Sequence, residues 1–242
     1  MQTQWLTLHT ADGPMRAYYA APDGAGPGPA VVVLQEAFGV NAYVRSVCDR
    51  LADAGFVALA PELFHRSGAH VEVAYTELPT AISAIMQLTL PQIEEDCAAA
   101  VAALRERKEV DPKRLGVIGF CFGGYCAIAA GLTTAVAAVV AFYPGGLCEA
   151  RPGRQTPPLL DRIPNLRAAT LVNFGGADQG ITPENVGAVK LALEKSPSQH
   201  KVNVYPGAGH GFHSHDRATA FHPQAAEDAW HATLGWLTDM LA

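Results

Sequence analysis

Apolar residues along the chain fall into short unbroken runs separated by polar stretches with helical spacing, and this alternation predicts strands interleaved with helices. The run Ala30-Val31-Val32-Val33-Leu34 is apolar on both faces, as expected of a strand covered by helices on each side. Phe56-Val57-Ala58-Leu59-Ala60, stopped by Pro61, reads the same way, as do Leu115 to Phe120, Val136 to Phe142, Ala169 to Phe174 and Lys201 to Tyr205. Between the first two strands, Asn41 caps a helix that runs to about Ala54 and ends at Gly55. Pro91 to about Lys108 carries a narrow apolar stripe of Ile93, Cys97, Ala100, Val101 and Leu104. A small-residue helix spans about Phe122 to Gly131, Thr182-Pro183-Glu184 opens another that reaches about Lys195, and Pro223 to Leu241 forms the last. Residues 62–90 are less regular and predict a loop with short helices over a site. At the start, Trp5-Leu6-Thr7-Leu8 and Met15 to Tyr19 flank Asp12-Gly13, a dipeptide that turns hairpins, and so form an antiparallel edge.

Strands alternating with helices imply right-handed crossovers, hence a three-layer α/β sandwich with a mostly parallel central sheet. Ligands are expected at the carboxyl ends of its strands. With 242 residues, 49% of them apolar and 17% charged, the chain fits one domain over residues 1–242 with a large core. The net charge of −6, without a basic patch, excludes a nucleic-acid partner. The first residues show neither a cationic start nor an apolar run, and no stretch of about 18 apolar residues occurs, so neither a secretory leader nor membrane association is expected. Five cysteines (Cys48, Cys97, Cys121, Cys126, Cys148) with no Cys-x-x-Cys pair argue against a disulfide framework and a cysteine-rich zinc site. Reduced thiols in a cytoplasmic protein are the simplest account, and the pattern fits a monomer or a homodimer equally.

The most informative stretch is Gly119-Phe120-Cys121-Phe122-Gly123-Gly124, which lies between a strand and a helix. This is the nucleophile-elbow pattern with sulfur in place of the usual serine oxygen. Glycines at 119 and 123 permit the sharp reversal, and Cys121 falls at a helix N-terminus, where free N–H groups favour a thiolate. The Phe122 N–H then becomes one oxyanion donor, and the N–H of Ala37, in the loop after an earlier strand, the second. A nucleophile of this kind needs a base and an orienting acid, in the order nucleophile, acid, histidine. Asp178, in Gly175-Gly176-Ala177-Asp178, and His210, in Gly209-His210-Gly211-Phe212, follow successive strands in that order. Glu36, directly after another strand, points toward the same crevice. Phe38, Tyr75, Tyr143 and Phe212 are candidate apolar walls, and Arg217 a candidate charge on the substrate.

His210, His213 and His215, with Asp216, invite a metal reading, but their spacing matches no helix-borne zinc motif, and no metal is expected. His213 and His215 are expected at the surface or the pocket rim. The glycines lack both the dinucleotide and the phosphate-loop spacing, so no cofactor is expected either.

On these residues the sequence resembles the dienelactone hydrolase (carboxymethylenebutenolidase) family of the α/β-hydrolase fold. Gln35-Glu36-Ala37-Phe38-Gly39-Val40-Asn41, the elbow, and the acid and histidine loops carry the resemblance, which runs from about residue 14 to the C-terminus. It implies Cys121 as nucleophile, His210 as base, Asp178 as orienting acid and Glu36 as a carboxylate that helps control thiol ionisation. It implies a small-molecule ester or lactone as substrate. The family's known members hold a substrate carboxylate with two arginines. Here Ser214 occupies one of those positions, and residues 67–104 contain no arginine. A substrate other than dienelactone itself is therefore expected. A broader carboxylesterase or thioesterase, and a non-catalytic ligand-binding or thiol-sensing member of the fold, are the competing readings.

Overall fold

The computed structural model describes residues 1–24 and 26–242. The chain opens with a hairpin of β1 (Gln2–Thr10) and β2 (Gly13–Ala21), in which Thr10 faces Gly13 across the turn. Gly13 has φ +119°, in the region that disfavours side chains, so the turn depends on glycine. Then follow β3 (Gly28–Leu34), α1 (Ala42–Asp53), β4 (Val57–Pro61), α2 (Leu78–Met86), α3 (Leu90–Arg105), β5 (Val110–Phe120), α4 (Phe122–Thr133) and β6 (Ala138–Phe142). The chain ends with β7 (Ala169–Gly175), α5 (Pro183–Glu194), β8 (His200–Tyr205) and α6 (Pro223–Met240). Single 3-10 segments lie at His65–Ser67 and Leu160–Asn165.

The strands form one eight-stranded sheet in the order β1-β2-β4-β3-β5-β6-β7-β8. The β1–β2 and β2–β4 pairs are antiparallel, and every pair from β4 to β8 is parallel. This is the three-layer α/β architecture with an N-terminal antiparallel edge. Side-chain alternation along β5 assigns the helices to faces. Gly116 leaves room for Leu237 and Leu241 beneath α6, and Phe120, on the same side, meets Tyr43 of α1 edge-on. Gly119 points the other way, against Gly123 of α4.

Helix starts follow local chemistry. The Asn41 side chain accepts the Val44 N–H at 3.1 Å, and Thr89 with Gln92 and Thr182 with Asn185 form capping boxes. Among the boundaries that differ from the sequence expectation, two adjoin each other before the elbow strand. The third helix stops at Arg105 rather than near Lys108, because the Val110 N–H turns back to the Arg107 carbonyl. The following strand starts at Val110 rather than Leu115, and an irregularity in its pairing with β3 between Gly28 and Ala30 absorbs the extra length.

Candidate active site

β5 ends at Phe120 and α4 begins at Phe122, so a single residue makes the reversal. Cys121 takes φ +55° and ψ −112°, a conformation that costs about 1–3 kcal/mol outside glycine. Its N–H donates to the Phe142 carbonyl at 3.0 Å, and its carbonyl accepts from Gly124 N at 3.0 Å, which pins the strained residue from both sides. Close approach dictates the flanking glycines. A Cβ on Gly119 would lie 1.9 Å from the Gly123 carbonyl oxygen, and one on Gly123 would lie 2.2 Å from that of Leu34. The second contact also draws the end of β3, and with it Glu36 and Ala37, against the elbow.

The loops after β7 and β8 are joined by backbone bonds from Gly176 N to Tyr205 O and from Ala177 N to Ala208 O, each 2.8 Å long. They bring His210 between Cys121 and Asp178. His210 Nε2 lies 2.9 Å from Cys121 Sγ, and His210 Nδ1 lies 2.7 Å from Asp178 Oδ2. The other oxygen of Asp178 accepts the Gly180 N–H at 2.8 Å, which fixes the carboxylate's orientation. Burial opposes charge on His210, but the neighbouring sulfur and the Asp178 carboxylate outweigh it and push its pKa up to about 10. The imidazole therefore holds its proton at neutral pH.

These groups open into a cavity of about 740 Å³ lined by Ala37, Phe38, Cys121, Phe122, Asp178 and His210, among others. Among the described residues, neither the Ala37 N–H nor the Phe122 N–H has an acceptor, so both are available to a ligand. Phe38 and Arg217 line the cavity, and the Arg217 guanidinium lies 5.4 Å from the Phe38 ring and 5.6 Å from that of Tyr75. Tyr75 stands behind Phe38, with ring centroids 4.7 Å apart, and its hydroxyl accepts from Asn41 Nδ2 at 3.0 Å.

Tyr143 and Phe212, expected on the walls, are fully buried instead. They pack on each other and on Phe142, and Tyr143 meets the His210 ring edge-on at 5.1 Å, so they form the floor beneath His210. Glu36 is likewise fully buried, behind the wall. Its Oε1 accepts from the Tyr143 hydroxyl at 3.3 Å and its Oε2 has no partner among the described residues. Burial raises its pKa, with Arg217, His210 and the Tyr143 hydrogen bond working in the opposite direction. His213, expected at the rim, is also buried: it stacks on Phe120 and contacts the Tyr43 hydroxyl at 2.7 Å through Nδ1. His215 pairs with Asp216 at 3.3 Å.

Sequence reasoning expects short helices of residues 62–90 over the site without naming their lining residues, and it misses the opposite flank. Leu78, Ile82 and Ile85 of α2 supply an apolar side, and Arg151 and Arg154, from the loop between β6 and β7, supply a cationic one. Arg151 donates to the Gly180 carbonyl at 2.8 Å, and among the described residues neither Arg151 nor Arg154 forms an ion pair. This loop is fastened to α2: Gln155 Nε2 donates to the Met86 carbonyl at 3.2 Å, Met86 covers Gly153, and Gln155 bridges to Thr89. The signal for the arginines was the length of chain after a strand's carboxyl end, where ligand-binding loops gather.

The sheet order, the strained cysteine between β5 and α4, and the sulfur–imidazole–carboxylate row together define an α/β-hydrolase fold with sulfur at the nucleophile position. The dienelactone hydrolase family profile matches residues 15–241, and the chain belongs to that family. A candidate carboxymethylenebutenolidase of Synechocystis sp. is 34% identical over 236 residues, 95% of this chain and 94% of that protein. A candidate 2-oxo-3-(5-oxofuran-2-ylidene)propanoate lactonase of Bradyrhizobium sp. is 33% identical over 235 residues, 96% of this chain and 92% of that one. Among solved structures, a candidate dienelactone hydrolase of Klebsiella pneumoniae superposes with a TM-score of 0.89 at 30% identity, covering 98% of each chain.

Proposed function

We propose that this chain hydrolyses activated carboxylic esters and lactones through a Cys121–His210–Asp178 triad and a thioester intermediate. The observation that carries the reading is the continuous row of contacts from sulfur to imidazole to carboxylate, 2.9 and 2.7 Å long, on the wall of one cavity. In the reaction, Cys121 Sγ attacks the carbonyl carbon while the Phe122 and Ala37 N–H groups receive the developing oxyanion. The tetrahedral intermediate collapses by breaking the carbon–oxygen bond, and the departing oxygen takes its proton from the His210 imidazolium. Water, activated by the same imidazole, then cleaves the thioester and returns the thiol.

Leaving-group chemistry narrows the substrate. A thiol, with a pKa near 8.5 in isolation, departs more readily than an ordinary alkoxide, so attack on a plain alkyl ester tends to reverse. An enolate or phenolate leaving group carries the collapse forward. The lactonase name of the Bradyrhizobium relative agrees with an enol-type lactone. The cavity's two flanks support a substrate with an apolar body against α2 and an acidic group toward Arg151 and Arg154.

The test compares wild type with Cys121→Ala on a p-nitrophenyl acyl ester, with denaturing mass spectrometry during turnover. We expect an acyl adduct on the wild-type chain, and hydrolysis at the uncatalysed rate with no adduct in the variant. Wild-type turnover by Cys121→Ala would overturn the reading.

A further inference from the structure

The connection between β8 and α6 carries His210, and it returns to the same cavity with a second imidazole. His222 is the N-cap of α6, and its Nδ1 accepts the Ala225 N–H at 3.3 Å. Its backbone is held as well: the His222 N–H donates to the carbonyl of Phe212, two residues past His210, at 3.0 Å. The other ring nitrogen approaches Gly207, three residues before His210, and a Cβ built on that glycine would lie 3.7 Å from His222 Nε2. His222, Gly207 and Gly209 line the main cavity together with His210. Among the described residues His222 Nε2 has no hydrogen-bond partner, and the atom is not sealed from solvent.

We infer that His222 is a specificity-determining residue on the leaving-group side of the cavity, where its Nε2–H donates to a carbonyl or carboxylate oxygen carried by the alcohol part of the ester. The place of the proton follows from the cap. A backbone N–H can only donate, so the contact with Ala225 makes Nδ1 the acceptor. A nitrogen that accepts in this way carries no proton, and the single proton of a neutral imidazole is then on Nε2. The ring is thereby held as a donor toward the cavity. Serine or asparagine, the usual cap residues, would satisfy the same N–H with a shorter side chain. What imidazole adds is a second polar atom across the ring, set against Gly207 rather than against the helix.

His210 sets which part of a substrate lies here. The departing oxygen takes its proton from His210, so the alcohol part extends past this imidazole and along the loop that bears it. His222 stands on that course, bonded to Phe212 on one side of His210 and set against Gly207 on the other. Neither Gly207 nor Gly209 brings a side chain to fill the space there. Arg151 and Arg154 reach the cavity from a different connection, between β6 and β7, and His222 therefore adds a separate requirement. A substrate that meets both carries acceptor oxygens at two places, one of them beyond the ester oxygen. The inference rests on the proposed function for the direction of the leaving group, and one arm of its test reads binding without turnover.

The kinetic arm uses two esters of equal size, 3-acetylphenyl acetate and 3-ethylphenyl acetate, of which only the first has an acceptor on its leaving group. His222→Ser keeps a capping oxygen for α6 and removes the ring. We expect kcat/KM for the 3-acetylphenyl ester to fall about 3- to 10-fold relative to that for the 3-ethylphenyl ester, the worth of one neutral hydrogen bond, with an unchanged circular dichroism spectrum. An equal change for both esters in the folded variant, or no change, overturns the inference. The binding arm titrates 3-acetylphenol and 3-ethylphenol into the ¹⁵N-histidine-labelled wild-type protein. Long-range ¹H–¹⁵N correlations read the His222 tautomer, and its signals are assigned by their loss in His222→Ser or, if that variant does not fold, in His222→Asn. We expect the neutral ring to carry its proton on Nε2, and the Nε2 resonance to move with 3-acetylphenol and not with 3-ethylphenol. A neutral ring protonated on Nδ1, or no selective response, overturns the donor. A wild-type protein that hydrolyses neither ester while its Nε2 resonance responds to 3-acetylphenol alone would refute the proposed function and leave the donor standing.

Discussion

Replacing Asp178 by asparagine keeps the shape of the acid and removes its charge. Asp178 Oδ2 lies 2.7 Å from His210 Nδ1, and the Asp178 side chain is only 1% exposed, so the bond is charge-assisted and screened little by solvent. Bonds to charged groups contribute about 1.5–3 kcal/mol, or about one to two pKa units at about 1.4 kcal/mol per unit. The sign follows from the direction of the shift. His210 keeps its proton up to about pH 10, and losing the carboxylate lowers that limit. The basic limb of the profile should therefore fall to about pH 8–9 in Asp178→Asn. At neutral pH His210 still holds its proton in the variant, so the loss shows near pH 10, where kcat/KM for an activated ester should fall about 5- to 50-fold relative to wild type. The assay records Cys121 alkylation by iodoacetamide and ester turnover across the alkaline range, with circular dichroism to check folding. A basic limb that stays in place in the folded variant would refute Asp178 as the group that holds the imidazolium.

Two further outcomes test other parts of the site. Gly123→Ala would place a Cβ 2.2 Å from the Leu34 carbonyl oxygen, a backbone atom that cannot turn aside, so a loss of at least about 1–3 kcal/mol is expected in thermal or denaturant unfolding. Arg154→Gln should raise KM about 5- to 30-fold for an ester with an acidic group, the equivalent of about 1–2 kcal/mol for a charge-assisted contact, while a neutral ester of the same size keeps its KM.

Much of the architecture is legible in the sequence because buried parallel strands leave unbroken apolar runs, as Val31–Leu34 and Val139–Phe142 do, and because Asn41 and Thr182 announce their helices by capping. The elbow is legible for a steric reason: few other arrangements call for glycine on both sides of a cysteine between a strand and a helix. The aromatic residues are harder to place. Phe38 and Phe212 both follow strand ends, yet one lines the cavity and the other lies under it, and the difference arises from packing by Phe142 and Tyr143, which local pattern does not encode. His213 shares its three-residue segment with exposed-looking neighbours and is buried only because Tyr43 and Phe120 come from distant parts of the chain to meet it. Arg151 and Arg154 belong to a loop with no periodicity, so only the folded chain shows which way they face.

The clasp between α2 and the segment ending at Gln155 has a consequence for anyone who would redesign this enzyme. Selectivity for acyl bulk and selectivity for charge are usually tuned by separate substitutions, but here the hydrophobic helix and the guanidinium-bearing strip are fastened together at Met86, Gly153 and Gln155. A substitution that moves the Met86 end of α2 is therefore expected to move Arg154 as well. Variants chosen for size alone will carry an altered appetite for acids, and the two traits will have to be screened side by side.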